Sequence, residues 1–301
     1  MTKTPYTKAF LSYSDQVNLL ISRGLRLENK NKVLHLLENI SYYRLSGYWY
    51  PLLADKDKHI FKLGANFETA FNLYKFDKEL RRLIVIELEK IEIAVRSKIV
   101  HLLSATYGPF WIENASLFVN PKKHNTTITK INDEFSRSDE EFIASFKSKY
   151  SNPLPPAFMT MEISSFGTLS LLYSNLKPGF KKREIASHFG LSDTVFSSWL
   201  HSIVYIRNIC AHHARLWNRL MSIQPLSPRN PKNPWLTNFQ INNKRVYYLL
   251  SIIVYLLDTI NPNHTFRQKI ENLFLKYPNV DVRAMGFPLD WKSETLWKIR
   301  H

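Results

Sequence analysis

Glycine, cysteine and the common nucleotide-binding motifs are scarce or missing in this 301-residue chain. Only 8 residues are glycine, and none stands in a GxGxxG or GxxxxGK[ST] pattern, which argues against dinucleotide-binding and P-loop folds. The single cysteine, Cys210, cannot form an internal disulfide, and it excludes a zinc ribbon or a disulfide framework. The sequence also lacks HExxH, GxSxG and CxxC, which mark common zinc proteases, serine hydrolases and thiol redox proteins.

Long apolar runs are missing as well. The longest strongly apolar stretch covers residues 246–257 and is shorter than the roughly 18 residues that a membrane-spanning helix needs. The first residues contain no apolar run that resembles a signal peptide. A single cysteine suits a reducing compartment, so we expect a cytoplasmic protein without a membrane partner.

What the chain has in excess is positive charge. It carries 41 Lys and Arg residues against 25 Asp and Glu, a formal net charge of +16. With 45% hydrophobic residues the chain has enough apolar surface to fold, so the charge belongs to a folded protein. A charge of this size is typical of nucleic-acid-binding proteins.

The apolar residues recur at three- and four-residue steps, which predicts an all-α fold. Helices are expected over residues 14–22, 29–40, 67–104, 139–150, 159–175, 181–189, 193–220, 243–260 and 266–277. Residues 41–53 are too aromatic for an ordinary helix, and residues 55–62 should be a surface loop or a short hairpin. Residues 114–138 are expected to be a polar connection with a short helix, and the prolines of residues 225–235 predict an irregular segment.

The segment 205–219, YIRNICAHHARLWNR, is the strongest candidate for chemistry. At about 100° per residue, a helix would place His212, Arg215 and Arg219 on one polar stripe with Asn208. The opposite stripe is apolar and contains Ile203, Ile206, Cys210, Ala214 and Trp217. This segment therefore predicts a helix with a buried back and a basic, imidazole-bearing face, with His213 nearer the buried side.

Such a face suits attack of a ribose 2′-OH on its own phosphate. His212 would move the proton, Arg207 would stabilise the charged transition state and Asn208 would orient the reacting groups, without a metal or cofactor. The products would be a 2′,3′-cyclic phosphate and a 5′-hydroxyl. RxxxxH in isolation is a weak pattern. The alternative interpretation is therefore an ordinary basic helix whose histidines form hydrogen bonds with the backbone or with water.

Several blocks in order resemble the Abi-like proteins, the AbiD and AbiF group of bacterial abortive-infection factors. They are NISYYRLSGYWYP at residues 39–51, FDKELRRL at 76–83, IEIAVRSKI at 91–99, SSFGTLS at 164–170, RNICAHHARLWNR at 207–219 and GFPLDW at 286–291. This group resembles the HEPN superfamily, whose ribonucleases carry RxxxxH on a helix of a bundle, as do RNA-guided CRISPR ribonucleases. By position, the motif arginine is Arg207, its histidine is His212 and the polar residue after the arginine is Asn208.

The resemblance implies a HEPN-type helical bundle in which two RxxxxH motifs meet across a twofold interface, and hence an active homodimer. It implies a role in phage defence or as a toxin, restrained by a small noncoding RNA acting as antitoxin. We expect one Abi-like domain over residues 1–301. Its parts would be an N-terminal segment at 1–65 packed on a HEPN-like core at 66–260, followed by a C-terminal helix and tail at 261–301.

Other residues have two readings each. Glu92 and Arg96 are spaced for a pair that orients the motif arginine, or for an ordinary i,i+4 salt bridge. Arg44 lies among aromatic residues that would stack bases with it, or would simply pack the N-terminal segment. Further candidate RNA contacts are Arg215 and Arg219 together with Lys181, Lys182 and Arg183, although solvated surface is the default for such a basic run.

Two main hypotheses follow. The first is a metal-independent endoribonuclease that acts as a homodimer in antiphage defence or as a toxin. The second is a noncatalytic protein that binds a small structured RNA, with Arg207 and His212 as phosphate contacts. A nucleotide-handling regulator is a third.

Overall fold

The fold is all-α, as predicted, in a computed structural model that describes residues 4–238 and 240–299. The described residues form α1 (Tyr13–Ser22), α2 (Lys30–Ile40), α3 (Tyr42–Trp49), α4 (Phe67–Tyr107), α5 (Pro121–Arg137), α6 (Glu141–Lys149), α7 (Ala157–Ile163), α8 (Phe166–Asn175), α9 (Phe180–His188), α10 (Asp193–Ala211), α11 (Val246–Ile260) and α12 (Phe266–Lys276). Within the described residues, no helix is both long and apolar enough to cross a bilayer.

A small antiparallel hairpin is the sheet structure of the described residues. Its strands are β1 (Leu53–Asp55) and β2 (Ile60–Phe61), with Leu53 paired to Phe61. The Asp55 side chain accepts the backbone N–H groups of Asp57 and Lys58 and so forms the turn. The hairpin is one of the two alternatives predicted for residues 55–62.

The chain forms two compact units. The first contains the chain up to Leu80 together with Leu273–Val280, and the second contains Arg81–Asn272 and the chain from Asp281 onward. The boundary falls inside α4. The expected division at residues 65 and 260 stays a prediction.

In the first unit, residues 41–53 contain a helix that the sequence analysis missed. Ser41 has a positive φ of 78°, which ends α2, and its side chain accepts the backbone N–H of Arg44 to begin α3. The buried Tyr48 hydroxyl on α3 donates to Asp77 at 2.7 Å. The expectation that residues 41–53 are not an ordinary helix was wrong for Tyr42–Trp49, because the aromatic residues of α3 supply its packing.

In the second unit, α11 is buried from Val246 to Asp258 and lies at the centre of the core. Its Tyr255 ring meets Trp199 of α10 edge-on, with the ring centroids 5.2 Å apart. At its end Asp258 accepts hydrogen bonds from Arg267 at 2.6 Å and from His264 at 2.9 Å. All three of these side chains are almost completely buried, so they join α11 to α12 by a network without free charges.

Two other expectations were wrong in extent. The predicted helix over 159–175 is divided into α7 and α8, because Ser164 and Ser165 leave the helical conformation and the Ser165 side chain caps Thr168 of α8. The polar connection at 114–138 contains α5, a 17-residue helix rather than a short one. Asn120 caps this helix, and its buried residues are His124, Thr127 and Ile131.

The most important correction concerns α10, which ends at Ala211 and not near residue 220. His213 has a φ of 55°, in the left-handed region. The N–H of His213 donates to the carbonyl of Cys210 and that of Ala214 to the carbonyl of Ile209, the hydrogen-bond pattern of a Schellman helix end. His213 is exposed rather than turned to the core, and no helical stripe joins His212 to Arg215 and Arg219. The predicted burial of Cys210 and Trp217 is confirmed.

Candidate functional site

The motif arginine and histidine lie at one end of α10. Arg207 and Asn208 are exposed on its last turns, and Arg207 Nη1 lies 3.5 Å from Asn208 Oδ1. His212 is the exposed residue directly after the helix, and its backbone N–H donates to the carbonyl of Asn208. The helix ends at the motif, so Arg207 has a rigid support and His212 belongs to the turn.

The apolar back of α10 explains this orientation. Ile203, Ile206 and Cys210 are buried, and Trp217, beyond the turn, donates its ring N–H to the carbonyl of Asp281. Since these side chains occupy the core, Arg207 and Asn208 are left on the outside. The sequence predicted the division of the helix into these two faces, although not its end.

The Glu92–Arg96 pair of α4 is well ordered and largely buried. Arg96 Nη2 lies 2.6 Å from Glu92 Oε1, and the two side chains are 12% and 18% exposed. Arg96 also donates to the backbone carbonyls of Glu162 and Ser164, at 3.2 and 3.1 Å. The pair thus fastens the turn between α7 and α8 to α4, which an isolated i,i+4 salt bridge would not do.

Electrostatics link this pair to the motif. Burial raises the pKa of Glu92 above its ordinary value of 4.5, and the positive charges of Arg96 and Arg207 oppose that rise without cancelling it. Arg207 of α10 therefore acts on Glu92 of α4. The charge of Arg207 thus reaches the predicted supporting pair, and the role of that pair in orienting Arg207 stays a prediction.

Arg219 and Arg215 follow the helix in an irregular segment. Arg219 donates to the backbone carbonyl of Arg215 at 3.1 Å. Burial alone would raise the pKa of the Tyr205 phenol, but hydrogen bonds from Ser222 and Arg219 outweigh it and lower that pKa. Arg219 therefore lies beside Tyr205 of α10, and its guanidinium is partly occupied.

The basic run after α8 is mostly engaged. Lys182 donates its ammonium group to the carbonyls of Ser174 and Leu176, at 3.0 and 2.8 Å, and so closes the end of α8. Lys181 forms an ion pair with Glu184 at 2.8 Å. Arg183 is exposed. These contacts give the two lysines structural roles, and contact with RNA stays a prediction for all three residues.

Arg44 belongs to the first unit. It is exposed on α3, next to Tyr43, whose side chain is 89% exposed. Trp49 and Tyr48 of the same helix are buried. The buried rings of Tyr48 and Trp49 thus pack the segment, as the packing interpretation requires. The exposed ring of Tyr43 leaves a surface for stacking, and the stacking of bases stays a prediction.

Sequence reasoning missed two features of the site. The carbonyls of Glu162 and Ser164 bind Arg96 across 66 and 68 residues of chain, and backbone groups leave no signal in a sequence. Tyr205 was not singled out either, because its contact with Ser222 depends on the end of α10.

Comparison with known proteins gives one family. The profile of the Abi-like proteins matches residues 35–218, more than half of the chain, and includes Arg207 and His212. No curated protein and no solved structure matches the chain. The matched range contains the Glu92–Arg96 pair and α10 with its histidine turn, and the chain belongs to the Abi-like protein family.

Proposed function

We propose that this protein is a metal-independent endoribonuclease that acts in abortive infection or as the toxin of a toxin–antitoxin pair. Membership of the Abi-like family supports a role in abortive infection or defence. The formal charge of +16 supports a nucleic-acid substrate. The reaction is cleavage of RNA through its own 2′-hydroxyl.

One observation carries the proposal: Arg207 is exposed on the last turns of α10, beside Asn208, and its charge acts on the largely buried Glu92 of α4. The back of α10 is packed in the core, so the backbone that carries this guanidinium is fixed before substrate arrives, which favours stabilisation of a transition state. The exposed His212 follows it at the end of the same helix. The pair therefore presents a preorganised cation and an accessible imidazole on one surface.

The mechanism assigns each group a task. His212 removes the proton of the ribose 2′-OH, and the 2′-oxygen attacks the adjacent phosphorus. The bond from phosphorus to the 5′-oxygen breaks, and that oxygen takes up a proton. Arg207 stabilises the charge on the phosphoryl oxygens, while Asn208, which lies beside it, orients the phosphate. The products are a 2′,3′-cyclic phosphate and a 5′-hydroxyl.

We propose a homodimer as the active form of this ribonuclease. The helix that carries Glu92 also exposes Val85, Ile86 and Ile93, whose side chains are 39%, 48% and 60% exposed. Apolar residues at this spacing form a stripe along one side of α4. A second copy seated on the stripe would bring two sets of Arg207 and His212 together.

The test uses purified wild type, His212→Ala and Arg207→Ala, each stripped of copurifying RNA with high salt. They are incubated in EDTA with mixed single-stranded and structured RNA, and the product ends are mapped. We expect wild type to cleave and to leave cyclic phosphate ends. Either substitution should lower the rate by about a hundredfold or more, because acid–base and electrostatic groups contribute that much.

Exposed His201→Ala on the same helix is the matched control, and it should cleave like wild type. If stripped wild type binds RNA and cleaves none of it, the noncatalytic RNA-binding hypothesis replaces this one. Sequencing of the copurified RNA would then identify the small noncoding RNA.

The dimer has its own test in Ile93→Asp. We expect this variant to be monomeric by sedimentation and inactive, since a carboxylate on the stripe opposes burial. Leu289→Asp, at a side chain that is 89% exposed in the second unit, should leave both properties unchanged. A dimeric or fully active Ile93→Asp protein would contradict the composite site.

A further inference from the structure

A cavity of about 480 Å³ opens beside the Glu92–Arg96 pair, between α4 and α7. Its lining residues on α4 are Arg96, Ser97, Val100, His101, Ser104 and Ala105, and those on α7 are Phe158 and Glu162. This volume lies within the range of small-molecule binding pockets. It is open to solvent on α4, the helix that carries the Glu92–Arg96 pair.

We infer that this cavity binds one unpaired base of the RNA, with guanine preferred, and so sets where the proposed ribonuclease cuts. The inference rests on the proposed function and names the substrate feature that the same site recognises.

The cavity adjoins the Glu92–Arg96 pair, on which the charge of Arg207 acts. Arg96 lines the cavity and is bound to Glu92, on which Arg207 acts. Along α4, Glu92, Arg96 and Val100 follow one another at four-residue steps on one side of the helix. At 1.5 Å per residue, Val100 lies about 12 Å from Glu92 along the helix axis. A nucleotide bound here would therefore place its strand beside the Glu92–Arg96 pair.

One wall of the cavity offers an aromatic surface. The Phe158 ring is 54% exposed, whereas Met161 of the same helix is buried and Met159 and Ile163 are partly buried. An exposed aromatic side chain in a basic protein is the usual platform for stacking an unpaired base. Phe158 is thus placed to hold the flat face of the base.

Among the polar groups of the cavity, which include Arg96 and His101, the Glu162 carboxylate suits a base edge better than a phosphate. The Glu162 side chain is 64% exposed, and its carboxylate lies 3.9 Å from Arg96, too far for a hydrogen bond. A carboxylate repels phosphate but accepts hydrogen bonds from N–H groups. Guanine presents two adjacent N–H donors on its Watson–Crick edge, which one carboxylate can accept together.

The Ser104 hydroxyl is a further polar group that lines the cavity, and it can rotate. Its hydroxyl is buried and has no hydrogen-bond partner within the described residues. A hydroxyl can donate or accept, and a rotation about χ1 moves it between staggered positions. A bound base gives this hydroxyl the partner that it lacks.

The experiment measures binding with the His212→Ala variant in EDTA, so that cleavage does not interfere. Fluorescence anisotropy is recorded with oligouridine of eight nucleotides and with versions in which one central uridine is replaced by guanosine, adenosine or cytidine. We expect the guanosine version to bind about tenfold more tightly than oligouridine. Adding Phe158→Ala should weaken binding of all four RNAs, and adding Glu162→Gln should remove the preference for guanosine.

Matched controls are Phe180→Ala, at a ring that is 70% exposed on α9, and the exposed Glu113→Gln, and both should keep the guanosine preference. The inference is overturned if the four RNAs bind equally, or if Glu162→Gln keeps the preference. It is also overturned if guanosine monophosphate alone binds as tightly as the guanosine-containing RNA, because the ligand is then a free nucleotide. A guanosine preference without any cleavage in the wild type leaves the cavity assigned and rejects the ribonuclease.

Discussion

Two carboxylates of α4, five residues apart, have opposite electrostatic environments. Glu87 is 1% exposed, and its oxygens lie 2.7 Å from Lys90 and 2.9 Å from Lys269 of α12. Burial opposes its charge, yet hydrogen bonds from the two ammonium groups outweigh burial and lower its pKa. Glu92 is 18% exposed and is bound to Arg96, and burial outweighs its two arginines and raises its pKa.

The comparison separates a structural ion pair from a candidate functional one. Glu87 is more deeply buried but better satisfied, because both of its partners are directed at it. Arg96 divides its hydrogen bonds between Glu92 and two backbone carbonyls, and Arg207 is exposed at the site. A carboxylate that is left incompletely compensated next to an accessible cation is typical of active sites.

The largest expected effect comes from removing both cations of Glu87. In the double variant Lys90→Met and Lys269→Met, the buried carboxylate is left without a partner. Breaking a buried pair in this way costs about 3 kcal/mol of the free energy of unfolding. Urea unfolding checks this value, and addition of Glu87→Gln should recover much of the loss, because it removes the buried charge.

The next effect should be catalytic. We expect Glu92→Gln to lower cleavage about tenfold through kcat with little change in KM, equivalent to a loss of about 1.4 kcal/mol of transition-state stabilisation. The physical reason is that the charge of Glu92, which attracts Arg207, is removed, while a side chain of the same shape remains beside Arg96. Glu87→Gln is the matched control, and equal losses of activity in the two variants would reject the distinction.

A smaller effect is expected at the end of α10. His213 adopts a φ of 55°, which costs a residue with a Cβ more than it costs glycine. His213→Gly should therefore stabilise the protein by up to about 1 kcal/mol, measured by thermal unfolding. Exposed His201→Gly, inside the same helix, should have the opposite sign. Destabilisation by His213→Gly would show that its side chain has a role that outweighs this strain.

The smallest effect should be the pH dependence of stability. The lowered pKa of Glu87 means that its contribution is present above its ordinary pKa of 4.5 and is lost as the pH falls through the folded value. The raised pKa of Glu92 has the reverse consequence, so its contribution is complete below 4.5 and is lost as the pH rises through the folded value. On acidification, the wild type should first gain stability relative to Glu92→Gln and then lose it relative to Glu87→Gln. Slopes of the same sign would contradict the two environments.

Much of the helical fold could be predicted because apolar spacing and caps lie close together in the sequence. The long α4, the apolar α11 and the hairpin at residues 55–62 follow from such local patterns. The end of α10 could not be predicted, since Leu216 and Trp217 continue the apolar spacing and no glycine or proline interrupts it. The break between α7 and α8 depends on Ser164 and Ser165; serine favours helix N-caps, but it also occurs inside helices, so the apolar spacing on both sides conceals the break.

The site was predictable in part for the same reason. Arg207, Asn208, Glu92 and Arg96 were identified because each pair lies within one helical turn. Glu87 was missed, because its partner Lys269 is 182 residues away. The engagement of Lys182 with the end of α8 was missed as well, since a basic run gives no sign of which carbonyls its members bind.

Glu162 takes part in two features of the structure, one through its backbone and one through its side chain. Its backbone carbonyl binds Arg96, and its side chain lines the cavity beside α4. Under thermodynamic linkage, a ligand that favours one arrangement of this residue favours the matching arrangement of Arg96, and the reverse holds by the same free energy. If the cavity binds a base, as we infer, binding at the Glu162 side chain and the position of Arg96 are therefore coupled through the last turn of α7.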